Sequence, residues 1–192
     1  MKKNLLISVL MTVVTTILLG LIYPLTMTAI AQVLMKDKAN GQLIEQNGKL
    51  VGSRILGQSF TTAPYFHSRP SAAGTGYDAS NSSASNLGPT NQKLLDRVKG
   101  DAASAQADNP NLPVPVDLVT TSGSGLDPHI SPAAAEFQIL RIAKARGISE
   151  NDVRELIAKH TEGRQWGFLG EARVNVLELN LELDQRFPVP KS

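Results

Sequence analysis

The chain has 192 residues, 19 Lys and Arg, 17 Asp and Glu, and no cysteine. This length allows one or two domains, and the lack of cysteine excludes disulfides, thiolate catalysis and cysteine-ligated zinc or iron–sulfur sites. Lys2 and Lys3 precede an uncharged run, residues 4–35, whereas residues 36–192 are formally neutral, so the charge gives no indication of a nucleic-acid-binding protein.

Residues 5–23 predict a membrane-spanning helix. Thirteen of these nineteen residues are aliphatic or Met, and about 20 helical residues cross a hydrocarbon core of roughly 30 Å. We expect the helix to cover about residues 5–27 of a membrane anchor comprising residues 1–35, with a kink at Pro24. The short basic tail favours a cytoplasmic N-terminus and an extracytoplasmic remainder, although nearby lysines after the helix weaken an orientation based on charge.

A cleaved signal peptide is the alternative to a retained anchor. Ala29-Ile30-Ala31 has the small-residue pattern of a cleavage site. The apolar core of a signal peptide usually has only about 7–15 residues, so the length favours the anchor. Cleavage after Ala31 would instead release a free exported binding or scaffold domain.

One face of the predicted helix carries a stripe of small side chains at every fourth position. The stripe consists of Ser8, Thr12, Thr16 and Gly20. Such a stripe lets a second membrane helix approach closely. Alternatively, the hydroxyls bond back to carbonyls of their own helix. A lone anchor does not need the stripe, which therefore favours a membrane partner.

The segment after the anchor begins with a predicted hairpin. Asn47-Gly48 separates two short apolar runs, residues 42–46 and 49–53, and this dipeptide is typical of a two-residue hairpin loop. Residues 54–60 are a candidate extension of the second strand. Residues 61–91 are rich in Ser, Ala, Asn, Gly and Pro, and predict a long surface loop of a kind that is often functional or mobile.

The next residues predict a helix, a short strand and a turn. The helix covers residues 92–107, and its apolar face consists of Leu94, Leu95 and Val98. Residues 116–120 favour a short strand, and residues 122–125 favour a flexible turn between strand and helix.

Clear capping signals mark two later helices. Ser131-Pro132 predicts a helix start, and Gly147 predicts its end. Ser149 followed by Asp152 predicts the start of the next helix. Residues 172–184 stay ambiguous, because alternating leucines favour a strand while Asn175 resembles a helix cap. The fold class predicted is α+β, with one N-terminal transmembrane helix followed by a single mixed α/β extracytoplasmic domain, residues 36–192.

The ionisable side chains give no catalytic or metal motif. His67, His129 and His160 lack the i, i+4 spacing with a flanking Glu that a zinc protease helix has. His160 is expected to be a structural histidine on an apolar helix face. Ser124, Asp127 and His129 are close in sequence, but this is no evidence for a triad, and the G-x-S-x-G elbow is missing. We therefore expect no catalytic and no metal-binding residues.

Several motifs nevertheless occur together in a recognisable order. They are Tyr23-Pro24-Leu25, Gly57-Gln58-Ser59-Phe60, Tyr65-Phe66-His67-Ser68-Arg69-Pro70-Ser71, Ser85-Asn86-Leu87-Gly88-Pro89-Thr90-Asn91, Ser122 to Ala134, Arg141 to Arg146, and Val174 to Leu181. This ordered set spans nearly the whole chain. It resembles the KdpC family, the C subunits of the bacterial high-affinity potassium-transporting Kdp ATPases.

The resemblance implies an accessory, non-catalytic subunit of a potassium-uptake complex. The other members would be a channel-like potassium-binding subunit, a P-type ATPase subunit and a small single-helix subunit. The family is single-pass, lies in the bacterial inner membrane, and is described as a catalytic chaperone that raises the ATP affinity of the ATPase subunit. ATP and potassium would belong to the complex, with no cofactor bound directly. Because ATP is cytoplasmic, an extracytoplasmic body could act on it only through coupled conformations.

The family motifs also suggest candidate residues for partner contact. These are Phe66, His67, Arg69, Pro70, Ser124, Gly125, Asp127, Ser131 and Pro132.

Overall fold

The computed structural model describes residues 1–189, which fall into two compact units, Met1–Val51 and a second unit that begins at Gly52. In the first unit, α1 (Lys2–Thr15), a π-helical segment (Thr16–Ile22) and α2 (Tyr23–Leu34) form one continuous helix, which the short α3 (Lys36–Ala39) follows. The continuous helix has 33 residues and is long and apolar enough to cross a membrane. The helix predicted over residues 5–27 is therefore present and extends further at both ends.

Pro24 does not end this helix. The helical hydrogen bonds change register just before it, and the Tyr23 N–H donates to the Leu18 carbonyl five residues back. A proline ring would clash with the carbonyl four residues earlier, and the wider π turn relieves this crowding. The disturbance expected at Pro24 thus takes the form of a π-helical segment on its N-terminal side.

The predicted hairpin is confirmed. β1 (Leu43–Gln46) pairs with β2 (Lys49–Ser53). Asn47 and Gly48 have φ angles of 53° and 73°, as a type I′ turn requires. The proposed extension of the second strand to residue 60 is wrong, because the Leu56 N–H bonds the Ser53 carbonyl in a turn.

The second unit combines helices with a small sheet, which confirms the mixed α and β fold. Its elements are α4 (Gln92–Asp108), β3 (His129–Ile130), α5 (Pro132–Arg146), α6 (Glu150–His160), β4 (Thr161–Glu162), β5 (Arg173–Asn175) and α7 (Val176–Arg186). The three strands form an antiparallel sheet in the order β3-β5-β4, with Val174 of the central strand opposite Ile130 and Thr161. The strand predicted at residues 116–120 is wrong, because Val116–Leu118 forms a 3-10 turn in which the Leu118 N–H bonds the Pro115 carbonyl.

The predicted caps of α5 and α6 are confirmed. Ser131 Oγ accepts the Ala134 N–H at 3.0 Å, and Gly147 ends α5 with a left-handed φ of 68°. Ser149 and Asp152 form a complete capping box at the start of α6. Each cap satisfies backbone groups that a helix end leaves without a partner.

The ambiguous C-terminal stretch contains both structures in sequence. Asn175 is the last residue of β5 and also the N-cap of α7, where its side chain accepts the Glu178 N–H at 3.1 Å. Residues 177–184 are therefore helical. Leu177, Leu179 and Leu183 are all buried, because α7 packs into the core of this unit.

The core lies between α5, α6, α7 and the sheet. Its fully buried side chains include Ile142, Leu156, Val174, Leu179 and Leu183. The long segment predicted as a surface loop, residues 61–91, contributes Phe66 to this core with no exposed surface. Part of that loop is therefore an integral layer of the fold.

Candidate functional site

The loop around Phe66 is held by two buried amide side chains that bond its backbone. Asn180 on α7 accepts the Phe66 N–H at 2.8 Å and donates to the Phe66 carbonyl at 3.0 Å. Gln138 on α5 does the same for His67, at 2.7 and 3.2 Å. The two amides satisfy buried backbone groups that a sheet neighbour would otherwise satisfy, and they fix the position of the loop.

Two arginines complete this attachment. Arg141 donates to the carbonyls of Ala63 and Tyr65 at 2.6 and 2.9 Å. Arg146, whose side chain has no exposed surface, donates to the Pro64 carbonyl at 2.8 Å and pairs with Asp184 at 2.8 Å. Its guanidinium also lies 4.9 Å from the centre of the Tyr65 ring. These guanidiniums are therefore structural groups.

Beyond this attachment, residues 69–83 and 120–128 form a second layer, here called the interlocked loops. Arg69 donates to the carbonyls of Thr120 and Thr121 at 3.4 and 3.3 Å and pairs with Asp127 at 3.2 Å. Ser71 Oγ donates to the Gly125 carbonyl at 2.6 Å. Each loop thus supplies the hydrogen-bond partners of the other.

Gly125 shows how closely the interlocked loops approach. Its φ is 68°, and a Cβ atom there would lie 2.6 Å from the Ser83 carbonyl oxygen and 2.7 Å from the Ala73 nitrogen. Both contacts are with backbone atoms, so a side chain cannot be accommodated by rotamer changes. The position requires glycine for its conformation and for its space.

The charges of this region are fixed by their surroundings. Burial acts to raise the pKa of Asp127, but hydrogen bonds from His129 and the charge of Arg69 outweigh it and lower the pKa. Burial and the charge of Arg141 lower the pKa of His67. At neutral pH, the Asp127 carboxylate is therefore charged and the His67 imidazole is uncharged.

The structure brings four of the nine partner-contact candidates together: Arg69, Ser124, Gly125 and Asp127 meet in the interlocked loops. Phe66 is buried in the core and does not offer its side chain to a partner.

Pro70 also lies in the interlocked loops, and the remaining candidates lie around them. Pro70 and His67 line a cavity of about 500 Å³ between the loop, α4 and α5. Ser131 and Pro132 begin α5, and the Ser131 N–H donates to Asp117 at 2.7 Å.

The groups that resemble a hydrolase triad have structural partners. Ser124 Oγ accepts the Leu126 N–H at 3.1 Å, while its carbonyl accepts the Ser83 N–H at 3.0 Å. Asp127 accepts the His129 backbone N–H at 3.0 Å. Within residues 1–189, no group of three or more acidic or histidine side chains could hold a metal ion.

His160 has the structural partner expected for it. Its Nε2 lies 2.6 Å from Glu182, which also accepts from Lys159 at 2.7 Å. The hydrogen bond from Lys159, followed by those with His160, lowers the pKa of Glu182 to about 2. This cluster joins α6 to α7.

In the helix of the first unit, Ser8 and Thr12 bond back to the carbonyls of Asn4 and Ser8, each at 2.9 Å. A Cβ atom at Gly20 would lie 3.8 Å from the Thr16 methyl group. Back-bonding satisfies the hydroxyls inside the helix and leaves a surface of small groups, so it is compatible with packing against another helix.

Two features were missed by reasoning from sequence. Asn180 and Gln138 were not recognised as loop-binding side chains, because their partners lie 114 and 71 residues away along the chain. Trp166, Phe168 and Leu169 are exposed between β4 and β5. The apolar residues between Arg164 and Glu171 could have indicated this exposed apolar segment.

Comparison with known proteins places these observations in a family. Residues 5–185 match the family described as KdpC, "K+-transporting ATPase, c chain". A protein of Koribacter versatilis named "Potassium-transporting ATPase KdpC subunit" is 67% identical over 190 residues, which cover 99% of this chain and 98% of the relative. Proteins with the same name from Rhodopseudomonas palustris and Rhodospirillum rubrum are 52% and 56% identical, and the matches cover 96% and 91% of this chain and 98% and 91% of the relatives. The chain belongs to the KdpC family.

Proposed function

We propose that this chain is the accessory C subunit of an ATP-driven, high-affinity potassium-uptake complex and has no catalytic activity of its own. The observation that carries the proposal is the family match over residues 5–185, which includes both the long apolar helix and the folded unit after it. The relatives are named as subunits of a potassium-transporting ATPase.

In this proposal the helix Lys2–Leu34 crosses the bacterial inner membrane once. Its N-terminus is cytoplasmic, and the rest of the chain, residues 36–192, is extracytoplasmic. Lys2 and Lys3 are the only charged side chains before residue 36, and basic residues are enriched on the cytoplasmic side of membrane helices. The partners are a channel-like potassium-binding subunit, a P-type ATPase subunit and a small single-helix subunit.

The interlocked loops are the proposed contact with the larger subunits. A docking surface gains from rigidity, because little conformational freedom is then lost on binding. The bonds of Arg69 and the close approach at Gly125 provide that rigidity. Any catalytic-chaperone effect on ATP affinity is indirect: the folded unit stabilises one conformation of the complex, and this conformation binds ATP better.

Gly123 offers a test of this surface. It is exposed, and no atom lies within 4 Å of a Cβ placed there. Gly123→Arg should fold normally and reduce co-purification of the chain with the channel-like and ATPase subunits. Gly88→Arg, at an equally open exposed glycine, is the control. Equal co-purification of the two variants would reject the interlocked loops as the contact.

The small-residue stripe is tested within the membrane. Gly20→Ile places a branched side chain on the stripe and should weaken assembly, whereas Gly20→Ala should change it little. Unchanged co-purification of the Ile variant would mean that this face does not pack against a partner helix.

The intact mass of the native chain tests cleavage directly, since an N-terminus at Gln32 would favour a released scaffold domain.

A further inference from the structure

An exposed apolar hairpin tip extends from the sheet of the second unit between β4 and β5. Trp166, Phe168 and Leu169 have 84%, 68% and 42% of their surfaces exposed. The two aromatic rings lie 6.5 Å apart. Residues 165–170 contain no charged side chain. Exposed aromatic groups of this kind mark interaction sites, because water solvates them poorly.

The tip has a defined conformation. Gln165 and Leu169 exchange two backbone hydrogen bonds of 2.9 Å, and Trp166 has a left-handed φ of 53°. At its base, Arg164 pairs with Glu171 at 2.6 Å. The rings are thus displayed at the end of a fixed and locally neutral hairpin.

The amount of apolar surface at the tip decides between a protein partner and a lipid bilayer. Each aromatic side chain can bury at most about 250 Å², so the tip falls short of the roughly 800 Å² per partner that a standard protein interface buries. Insertion into a bilayer needs no minimum area, and tryptophan is enriched at the level of the lipid headgroups. The small size of the tip therefore favours lipid.

The membrane anchor makes a weak insertion effective. Residues 35–51 connect the apolar helix to the second unit and span at most about 60 Å when fully extended. Because the anchor tethers the second unit to the bilayer, the tip meets the lipid at a high effective concentration, and a few apolar side chains are enough for frequent contact.

We propose that the hairpin tip Trp166–Leu169 inserts its side chains into the headgroup region of the membrane that holds the anchor. The proposal rests on the anchor being in the bilayer, which is part of the proposed function, and it needs none of the other subunits. Because the Arg164–Glu171 ion pair at the foot of the hairpin has no net charge, we expect the tip to insert into zwitterionic lipid without a requirement for anionic lipid.

The chain contains a single tryptophan, so its fluorescence reports on the tip alone. In the full chain reconstituted into phosphatidylcholine vesicles, Trp166 emission should be blue-shifted, lose most of its intensity with bromine-labelled acyl chains, and resist quenching by iodide. Phe168→Ser combined with Leu169→Ser should abolish the shift and restore iodide quenching. Leu112→Ser, at an exposed leucine outside the tip, should change neither signal.

Flotation of the vesicles separates the possible failures. Emission of a water-exposed indole in a chain that floats with lipid overturns the tip proposal and leaves the proposed function intact. Protection of Trp166 that requires addition of the channel-like and ATPase subunits also overturns it and assigns the tip to a protein contact. A chain that does not float overturns the membrane anchor, and with it both proposals.

Discussion

The contacts of single side chains explain why a loop without regular secondary structure is fixed in place. Asn180 and Gln138 each use both ends of an amide to bind one residue of the loop. Arg146 reaches the same loop from the C-terminal part of α5. Removing any of these groups leaves buried backbone atoms without partners, which costs more than the net gain of an ordinary hydrogen bond.

Asn180→Leu tests this attachment. The change keeps the volume similar but removes the partners of the Phe66 N–H and carbonyl, so we expect the free energy of unfolding to fall by about 2–5 kcal/mol. Asn151→Leu, on the exposed face of α6, should change it by less than about 0.5 kcal/mol. Denaturant unfolding of both variants measures the difference, and equal losses would contradict the role given to Asn180.

Glu182 predicts a specific acid sensitivity. Its pKa is lowered from 4.5 to about 2 in the folded chain, chiefly by the Lys159 hydrogen bond. The folded state therefore binds protons less readily at this site than the unfolded state. The stabilisation is fully present above about pH 4.5 and is lost as the pH falls towards 2.

In the Glu182→Gln variant, the free energy of unfolding should lack this contribution and should therefore change less between pH 4.5 and 2 than in the wild type. Glu155→Gln, an exposed carboxylate on α6, is the matched control. Unfolding free energies measured across this range check the expectation. A profile for Glu182→Gln that follows the wild type would show that the cluster between α6 and α7 does not stabilise the fold.

At the scale of elements, sequence motifs correctly predicted those turns and helix ends that are formed by hydrogen bonds between residues close together in the chain. The Asn47-Gly48 turn and the caps at Ser131 and Ser149 were predicted from the sequence, because each motif involves only backbone groups within four residues of it. Residues 54–60 were misjudged because distant groups satisfy this backbone: the Gly57 N–H bonds the Leu126 carbonyl. The contribution of Phe66 to the core was missed for the same reason, since Asn180 lies on another element.

Two glycines provide a matched pair for the interlocked loops. Gly125 and Gly147 have the same φ of 68°, but only at Gly125 would a Cβ atom meet backbone atoms. Gly147→Ala should cost about 1–2 kcal/mol from the left-handed conformation alone. Gly125→Ala should cost at least about 2 kcal/mol more, because the loops must separate.

Thermal or denaturant unfolding of both alanine variants gives the comparison. Similar losses would show that the loops adjust to the added methyl group, and the interlocked loops would then not be rigid.

At the scale of the whole molecule, the two units have different tasks. Every residue of the main core cluster lies in the second unit, between Phe66 and Leu183. Within the described residues 1–189, no side chain of the helix Lys2–Leu34 is fully buried. Within residues 1–189, one helix is long and apolar enough to cross a membrane, and the second unit contains the hydrophobic core. This division fits the KdpC family, to which the chain belongs.

Deleting residues 1–34 should therefore remove membrane association without unfolding the second unit. We expect the shortened chain to be recovered without detergent and to keep a single cooperative unfolding transition, since its core is complete. Circular dichroism against temperature checks this. Loss of the cooperative transition would show that the second unit depends on the helix for its stability.

The π-helical segment Thr16–Ile22 divides the long helix into two α-helical stretches. A π turn holds one more residue than an α turn, so deletion of a single residue there restores the ordinary spacing. One residue corresponds to about 100° of helical rotation. In an α-helical stretch such a deletion would rotate the side chains on its two sides by this angle relative to each other. In the π-helical segment the return to α geometry compensates for the lost residue, so the side chains before Thr16 and those after Ile22 would keep their relative direction. The seven residues thus accommodate one extra residue without changing the angular phase between the two ends of the long helix.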